Sequence, residues 1–324
     1  MNSILNGVKK EAVPPKKLQE KKQRVVKIAC DLVGECIEKY PQVVGFELGG
    51  SYAKGTWVPE KPVDNVDIDI FVKFNKKTSE KDFRNIGTEI GFESLKKYRP
   101  YTRHAEHPFV EAIIDGTRVN VVPCYDVNKG EWKSATDRSI YHTKFMLQKL
   151  SNSMKGDVRI LKKFLQHIEV YGAEIAKEGF SGYVTEALIF YFGSFEKTIK
   201  KISELKKGQV IGKSTKKFDS FVVIIDPIDN NRNLGTAISI ENLGKFVLAS
   251  RAFLRNPSKN FFKKPISKRI MRNTDKIIVV QFKVKERSDD IVWGQIKRAS
   301  NALKTQLELG GFTVLRNSSV KDEK

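Results

Sequence analysis

The sequence of 324 residues predicts an α+β protein made of three parts. In residues 1–145 short β-rich runs stand between helical stretches, which predicts an amino-terminal helix and a mixed sheet with helices packed on it. Residues 146–262 show mainly apolar spacings of helical period, so we expect a mostly helical part. Residues 263–324 predict a strand, a helix and a strand, a partial ferredoxin-like β-α-β unit whose unpaired sheet edges something should cover.

The composition favours a globular, cytoplasmic protein. Hydrophobic residues make up 40% and charged residues 30% of the chain. No apolar run approaches the roughly twenty residues of a membrane span, and the lysine-rich amino terminus lacks the apolar core of a signal peptide. Cys30, Cys36 and Cys124 have no zinc-like spacing, so we expect reduced and mostly buried thiols.

The net charge is strongly positive, at +21 with a sequence pI near 9.7. Because the excess is spread along the whole chain, it attracts polyanions and contributes salt-dependent affinity for phosphate backbones. A lysine-rich genome composition would explain part of it. Nucleic acid is the better interpretation, because the chain also carries the nucleotide-binding pattern described below.

Each element of the first part has its own signal. Helical periodicity predicts the first helix, which Pro41 ends, and Ser79 begins a capping-box-like start of the second. A tight turn at Asp115-Gly116 joins two β-rich runs. The predicted elements are a helix over Leu18–Tyr40, a strand over Val43–Leu48, a strand carrying Asp67 and Asp69, a helix over Ser79–Tyr98, and strands over Tyr101–Ile114 and Arg118–Tyr125.

The rest of the chain is mainly helical until the last part. Apolar residues at helical spacing predict the helices, Ser239 caps one of them, and Gly310-Gly311 ends the last. The predicted elements are helices over Tyr141–Leu150, Asp157–Val170, Val184–Ile202, Ser239–Phe253 and Asp290–Leu309, and strands over Phe221–Ile225, Lys276–Val284 and Phe312–Arg316.

One stretch carries most of the chemistry. Gly49-Gly50-Ser51 follows a short apolar run and offers backbone N–H groups and a hydroxyl to a phosphate chain, because glycine lets the backbone approach an anion closely. Farther on, Asp67 and Asp69 are two residues apart in an apolar strand, so both side chains project from the same face. Adjacent carboxylates repel unless a cation lies between them, and Mg²⁺ favours one or two carboxylates plus substrate phosphates.

An Asp-x-Asp pair alone is more often a solvated strand face than a metal site. The phosphate-binding turn ahead of it changes the interpretation, because triphosphate and metal must meet. The combination resembles the signature of nucleotidyltransferases that share the DNA polymerase beta fold, and it predicts a phosphoryl-transfer site.

The strand over Arg118–Tyr125 is where a third carboxylate is expected. Asn120 stands at that position. Its amide oxygen can ligate a metal, but it brings no negative charge and cannot accept a proton, so the sequence leaves activation of the attacking hydroxyl open.

Several stretches together resemble the archaeal (class I) CCA-adding enzymes, the tRNA nucleotidyltransferases that build the terminal C-C-A of tRNA without a nucleic-acid template. They run in the family's order from about residue 45 to 262, and several are not general to polymerase-beta-like enzymes. The matching stretches are residues 50–57, 66–71, 105–110, 121–125, 134–138 with His142, 158–162, 171–174, 179–183 and 226–229 with Arg232 and Asn233.

The resemblance implies a role for each matching residue. Asp67 and Asp69 would bind the metals, with Asn120 in the third catalytic position. Gly50 and Ser51 would hold the triphosphate, with Lys54 where the family usually has arginine, and His142, Lys162 and Tyr171 would line the triphosphate and sugar. Arg232 would read the Watson–Crick edge of the incoming C or A, for which a fixed fork of donors is suited.

Without the resemblance these residues have ordinary interpretations. His142 would be a helix-start histidine, Lys162 and Arg232 solvated charges, and Tyr171 a packing residue at the edge of the core.

The chain also departs from the family. Lysine at 54 loses the bidentate phosphate grip, and asparagine at 120 removes the expected general base and a metal charge. The chain stops soon after the first half of the carboxy-terminal region, where the family carries further segments that grip the tRNA elbow. The sequence alone does not decide whether the chain is a fragment, a subunit completed by another chain, or a reduced relative of the family.

The leading hypothesis is therefore Mg²⁺-dependent addition of C, C and A to tRNA from CTP and ATP. The alternatives are a catalytically impaired relative that binds tRNA or nucleotide without turnover, a subunit that needs a separate carboxy-terminal chain, and a related transferase with another acceptor. The expected partners are the tRNA acceptor stem and 3′ end, CTP and ATP, and no membrane. The unpaired β-α-β unit adds a homodimer or a separate carboxy-terminal subunit as a further hypothesis.

Overall fold

A mixed sheet organises the first part of the chain. The computed structural model describes residues 1–59, 66–103, 108–263, 279–283, 287–314 and 317–321. The strands of this five-stranded sheet are β1 (Val43–Gly49), β2 (Ile68–Asn75), β3 (Tyr101–Arg103), β4 (Phe109–Ile114) and β5 (Thr117–Asp126). Their spatial order is β1-β2-β5-β4-β3, with β2 and β5 parallel and the other neighbouring pairs antiparallel.

Helices cover one face of this sheet and leave part of the other to polar groups. The helices of this region are α1 (Asn2–Ala12), α2 (Lys16–Ile37), α3 (Gly50–Lys54), α4 (Glu80–Leu95) and α5 (Asp137–Lys149). Ile68, Ile70 and Val121 pack with Val25 of α2 and Ile90 of α4 in one core cluster. Because strand side chains alternate, Asp69 and Asn120 lie on the opposite face.

The second part is helical with a small sheet. Its elements are α6 (Asn152–His167), α7 (Gly182–Phe192), α8 (Phe195–Ser203), β6 (Gln209–Ile211), β7 (Val222–Asp226), β8 (Asp229–Asn233) and α9 (Ile240–Arg255). Phe164, Phe180, Phe195, Phe246 and Phe253 are fully buried in its core. Serine side chains accept a first-turn amide at the start of α4, α6, α7, α8 and α9. The caps of α4 and α9, Ser79 and Ser239, were predicted from the sequence.

Residues that the sequence presented only as a lysine-rich lead-in form α1. Leu5, Val8 and Ala12 are buried in the core of the helical part, and Lys9 Nζ lies 2.9 Å from Asp157 Oδ1 on α6. Helix α2 packs on the sheet instead. The first 37 residues therefore contact both the sheet and the helical part.

Two long predicted elements are divided. The helix expected over Val184–Ile202 is α7 and α8, because Gly193 adopts a positive φ of 86° that ends α7. The strand expected over Tyr101–Ile114 is β3 and β4, and Ala105, Glu106 and His107 between them lie outside the described residues. The short strands β6 and β8 were not predicted.

The last part contains the predicted helix, α10 (Asp289–Leu309). Residues 279–283 and 312–314, which belong to the two flanking predicted strands, are not in strands. The other residues of those two predictions lie outside the described ranges. In the described part of the chain every helix is too short or too polar to span a bilayer.

Candidate active site

A row of paired residues crosses the whole sheet on its polar face. The strand register sets Gly49 opposite Asp69, Asp69 opposite Asn120, Asn120 opposite Glu111, and Glu111 opposite Tyr101. Directly paired residues have neighbouring side chains, so the glycine turn at Gly49, the acidic strand and position 120 meet at one end of the sheet. The predicted convergence of these three features is what the structure shows.

The two aspartates have different partners. Arg118 Nε donates to Asp67 Oδ1 at 2.7 Å, and Asn120 Nδ2 donates to Asp69 Oδ1 at 2.9 Å. Burial raises the pKa of Asp67 to about 6, against the lowering effect of Arg118. Burial also raises the pKa of Asp69, which indicates a place where a cation would be favoured.

Asn120 has the features of a metal-facing amide. It is 6% exposed, and its Oδ1 has no hydrogen-bond partner although its Nδ2 is paired with Asp69. An unpaired buried carbonyl oxygen is costly, and a hard cation would satisfy it. Asp67 and Asp69 could hold a divalent metal, and this oxygen would join them once the amide turns it, in place of Nδ2, towards Asp69. The described residues contain no cluster of three or more His, Cys, Asp or Glu groups suited to a metal, since position 120 is not acidic.

The backbone at Gly50 lies against the acidic strand. Gly50 has a φ of 69°, and a Cβ at this position would be 1.9 Å from Asp69 Oδ2. Only glycine fits this conformation and this space. The half-buried Ser51 follows in α3, so the predicted turn is the start of a short helix whose residues lie next to the carboxylate.

Lys54 lies in an ion pair that the sequence did not predict. Its Nζ is 2.5 Å from Glu186 Oε2, and the hydroxyl of Thr56 donates to Glu186 Oε1 at 2.5 Å. Glu186 is fully buried on α7 and Lys54 is 6% exposed. Burial alone would raise the pKa of Glu186, but Lys54 and Lys162 lower it. Lys54 is thus fixed beside the site, with its charge partly neutralised.

Lys162 and Tyr171 meet at the start of α7. Lys162 Nζ donates to the Thr56 carbonyl at 3.0 Å and lies 3.8 Å from Glu186 Oε1. A Cβ on Gly182, the first residue of α7, would lie 3.1 Å from Tyr171 Oη and 3.6 Å from Lys162 Nζ. Burial lowers the pKa of Lys162 to about 8. The amino end of α7 therefore carries a cation and a hydroxyl, a suitable setting for phosphate.

Asp226 holds a second group of predicted residues together. His142 Nε2 lies 2.9 Å from Asp226 Oδ2, Arg232 donates to that oxygen at 3.0 Å, and Tyr183 donates to Asp226 Oδ1 at 2.9 Å. Burial alone would raise the pKa of Asp226, but the hydrogen bonds it accepts, that from His142 first, lower it to about 2. Burial lowers the pKa of His142. A neutral His142 donates to the carboxylate through Nε2.

The two groups adjoin each other. The Tyr183 ring stacks on His142 with centroids 3.7 Å apart, and Lys54 Nζ lies 5.6 Å from the Tyr183 ring centroid. Arg232 is 42% exposed, so its guanidinium reaches solvent at the edge of this region. Every residue predicted for the site therefore lies in one region between the polar sheet face, α5, α7 and β8.

The sequence reasoning assigned no role to Glu111, Arg118, Tyr183, Glu186 or Asp226. Tyr183 and Asp226 belong to the quoted stretches 179–183 and 226–229, so the signal for these two residues was available. Glu186 stands in the apolar beginning of a helix, where a charged residue is rarely buried without a partner. Glu111 and Arg118 are identified only by strand register.

Models of three protein families match consecutive stretches of the chain. Residues 29–142 match the nucleotidyltransferase domain, residues 156–263 match the second domain of tRNA nucleotidyltransferase, and residues 273–324 match the carboxy-terminal domain of CCA-adding enzyme.

Curated relatives are similar over most or all of the chain. A CCA-adding enzyme of Pyrobaculum islandicum is 35% identical over all of this chain and 77% of its own length. That of Methanocaldococcus jannaschii is 33% identical over all of this chain and 75% of its own length. That of Sulfurisphaera tokodaii is 37% identical over 85% of this chain and 67% of its own length.

Solved structures share the fold at low identity. A poly(U) polymerase with Mg and 3′-dATP bound has a TM-score of 0.61 and 13% identity, covering 81% of this chain and 98% of its own. An Escherichia coli CdnC structure with ATP has a TM-score of 0.55 and 15% identity, covering 81% of this chain and 94% of its own. These similarities establish the polymerase-beta-like nucleotidyltransferase fold.

Proposed function

The chain belongs to the archaeal CCA-adding enzymes, which are tRNA nucleotidyltransferases, and we propose that it adds C, C and A in turn to the tRNA 3′ end from CTP and ATP. The observation that supports this most directly is the contact of Gly50 with Asp69, which sets the phosphate-binding segment against the acidic pair. Triphosphate and metal ligands have to meet in this way for an in-line attack on the α-phosphate.

The metal would be held by this chain's own oxygens. Asp67, Asp69 and Oδ1 of Asn120 would hold Mg²⁺, and the open oxygen of Asn120 supports that assignment. When bound, Mg²⁺ would neutralise charge on the triphosphate and favour loss of the proton from the tRNA 3′ hydroxyl. Because Asn120 cannot take that proton, the carboxylates of Asp67 and Asp69 are the nearby acceptors among the predicted site residues.

The triphosphate would extend from α3 to the start of α7. Ser51 would donate its hydroxyl at one end, and Lys162 with Tyr171 would contact the other oxygens, since both lie beside Gly182. Lys54 would act as a nearby positive charge held in place by Glu186. His142, fixed by Asp226, would contribute its ring to the binding of phosphate or sugar.

Arg232 would select the base. The acceptor atom at N3 of cytosine or N1 of adenine suits a guanidinium donor, whereas uracil N3 and guanine N1 carry hydrogens. A donor opposite a donor leaves both unpaired, which penalises UTP and GTP. Asp226 holds the guanidinium at 3.0 Å, so its orientation is set before the nucleotide arrives.

The tRNA would bind through its phosphates. The net charge of +21 supports attraction of the acceptor stem and a strong dependence of tRNA binding on salt.

We propose residues 1–145 as the catalytic domain, 146–262 as the nucleotide- and tRNA-binding domain, and 263–324 as part of an RNA-binding region. Since tRNA is the substrate, we expect the protein to act in the cytoplasm. A second copy or a separate subunit at the carboxy-terminal unit stays a proposal, tested by light scattering.

Asn120 supports a second candidate function. A relative with a weakened metal site would bind tRNA or nucleotide without turnover. The deciding experiment supplies tRNA lacking its CCA end, Mg²⁺ and labelled CTP, and then ATP. We expect incorporation of two C residues and one A, with Asp69→Asn as the inactive control. Tight tRNA binding without incorporation, with activity gained in Asn120→Asp, would favour the second candidate. Preference for another nucleotide or acceptor would indicate a related transferase.

A further inference from the structure

Glu111 is a buried carboxylate on the polar face of the sheet. It is 4% exposed and is directly paired with Asn120 across the antiparallel β4 and β5 strands. Paired side chains of that kind have Cβ atoms about 4.5–5.5 Å apart on the same face. Glu111 therefore lies on the strand next to Asn120, the position where a third carboxylate was expected beside Asp67 and Asp69.

The neighbouring edge strand, β3, compensates the buried charge of Glu111 only in part. The hydroxyl of Tyr101 donates to Glu111 Oε1, and Arg103 Nε lies 3.9 Å from Oε2, beyond hydrogen-bond distance. Both partners are on the short strand β3, where Tyr101 is 41% exposed and the Arg103 side chain 50% exposed. Among the described residues this buried carboxylate has one hydrogen bond and one distant, solvated cation, which is a costly setting, so a stronger positive charge would be accommodated nearby.

Glu111 lies on the same face of the sheet as Asp69, with Asn120 on the strand between them. On the site side, Arg118 pairs with Asp67, and Asn120 is neutral. In the described sheet, Asn120 is thus paired directly with a carboxylate on each side, Asp69 on β2 and Glu111 on β4.

We propose that Glu111 supplies, from the neighbouring strand, the third negative charge that Asn120 does not carry, and so strengthens divalent-cation binding by Asp67 and Asp69. This rests on the proposed function for the identity of the site. Glu111 is a positioning residue that acts through its charge and through Asn120, whose oxygen remains the ligand. The metal would then be held by Asp67, Asp69 and the amide of Asn120, with the charge of Glu111 one strand away, instead of by three adjacent carboxylates.

The test measures Mn²⁺ binding by electron paramagnetic resonance, without nucleotide or tRNA. We expect Glu111→Gln to weaken Mn²⁺ binding by about tenfold, the range in which groups behind metal ligands act. Adding Asn120→Asp to that variant should restore the affinity, because it returns a carboxylate to the set. A packing role for Glu111 would not be rescued by a charge at another position.

Two controls separate charge from structure. Glu80→Gln removes an exposed carboxylate from α4 and should leave Mn²⁺ affinity within about twofold, since exposed distant charges are screened. Tyr101→Phe removes the hydrogen bond to Glu111 but keeps the Glu111 charge, so it should retain Mn²⁺ affinity. This variant is the second measurement if Glu111→Gln fails to fold.

Unchanged Mn²⁺ affinity in Glu111→Gln would overturn the inference, as would failure of Asn120→Asp to rescue it or a full loss of affinity in Tyr101→Phe. These outcomes are independent of the proposed function. A wild-type protein whose Mn²⁺ affinity depends on the Glu111 charge but which adds no nucleotide would refute CCA addition and leave this inference intact.

Discussion

Lys54 and Glu186 form a buried ion pair, with Nζ 2.5 Å from Oε2, that joins the end of α3 to α7. The two residues are 132 positions apart in the chain. Lys162 adds a second cation 3.8 Å from the same carboxylate. One acidic side chain therefore balances two lysines beside the place proposed for the triphosphate.

Glu186→Gln should destabilise the protein strongly. The change leaves Lys54 and Lys162 buried without a counter-charge, and breaking a buried pair in this way costs about 3–5 kcal/mol. Urea unfolding measures it, with Glu80→Gln on the surface of α4 as the control expected within about 0.5 kcal/mol. Adding Lys54→Met should recover part of the loss, and no recovery would mean that the pair is not coupled.

Gly50→Ala should disrupt the site. A Cβ would lie 1.9 Å from Asp69 Oδ2, so the carboxylate or the backbone has to move. We expect at least a tenfold loss of Mn²⁺ affinity and a loss of about 1–3 kcal/mol in stability, since the residue is also held at positive φ. Gly244→Ala on α9, where a Cβ meets nothing within 4 Å, should instead gain up to about 1 kcal/mol. Wild-type metal binding in Gly50→Ala would contradict the geometry.

Asn120→Asp should make stability depend on Mg²⁺. The hydrogen bond from Nδ2 to Asp69 is replaced by two facing carboxylates, which should cost about 1–3 kcal/mol without metal. A bound cation removes that repulsion, so Mg²⁺ should raise the unfolding free energy of the variant more than that of the wild type. Thermal unfolding with and without Mg²⁺ tests this, and equal stabilisation of both proteins would argue against a metal at this position.

Arg232→Lys should relax nucleotide choice. The substitution keeps a positive charge beside Asp226 but loses the planar fork of donors. We expect the ratio of kcat/KM for CTP over UTP to fall about tenfold or more. Arg251→Lys on α9, whose Nε donates to the Ser203 carbonyl, is the matched control and should keep the ratio. An unchanged ratio in Arg232→Lys would place base selection elsewhere.

Asp226 should contribute to acid stability. Its pKa is lowered from 3.8 to about 2, so the folded state holds this proton more weakly than the unfolded state. Its stabilising contribution is complete above about pH 4 and is lost as the pH falls towards 2, in total about 2 kcal/mol. Urea unfolding of Asp226→Asn should show a flatter pH dependence over this range, whereas Asp31→Asn on the exposed side of α2 should keep the wild-type slope.

Local patterns in the sequence predicted the centre of the site. The i, i+2 spacing of Asp67 and Asp69 and the glycines before Ser51 depend only on strand and turn geometry, so their convergence could be inferred. Glu186 and Lys54 could not be paired in advance, because their contact depends on where the fold places α7 relative to α3, 132 positions away in the chain. Gly193 divides a helix whose apolar pattern continues through it, and the pairing of Glu111 with Asn120 depends on the register of β4, which no local pattern fixes.

The packing of α1 on α6 affects how this chain can be shortened. Leu5, Val8 and Ala12 cover apolar residues that would otherwise meet water. A protein that began at Pro14 would keep all the proposed site residues but would expose the apolar surface that α1 covers. We therefore expect such a truncation to lower soluble expression and to promote aggregation, even though none of the lost residues belongs to the chemistry.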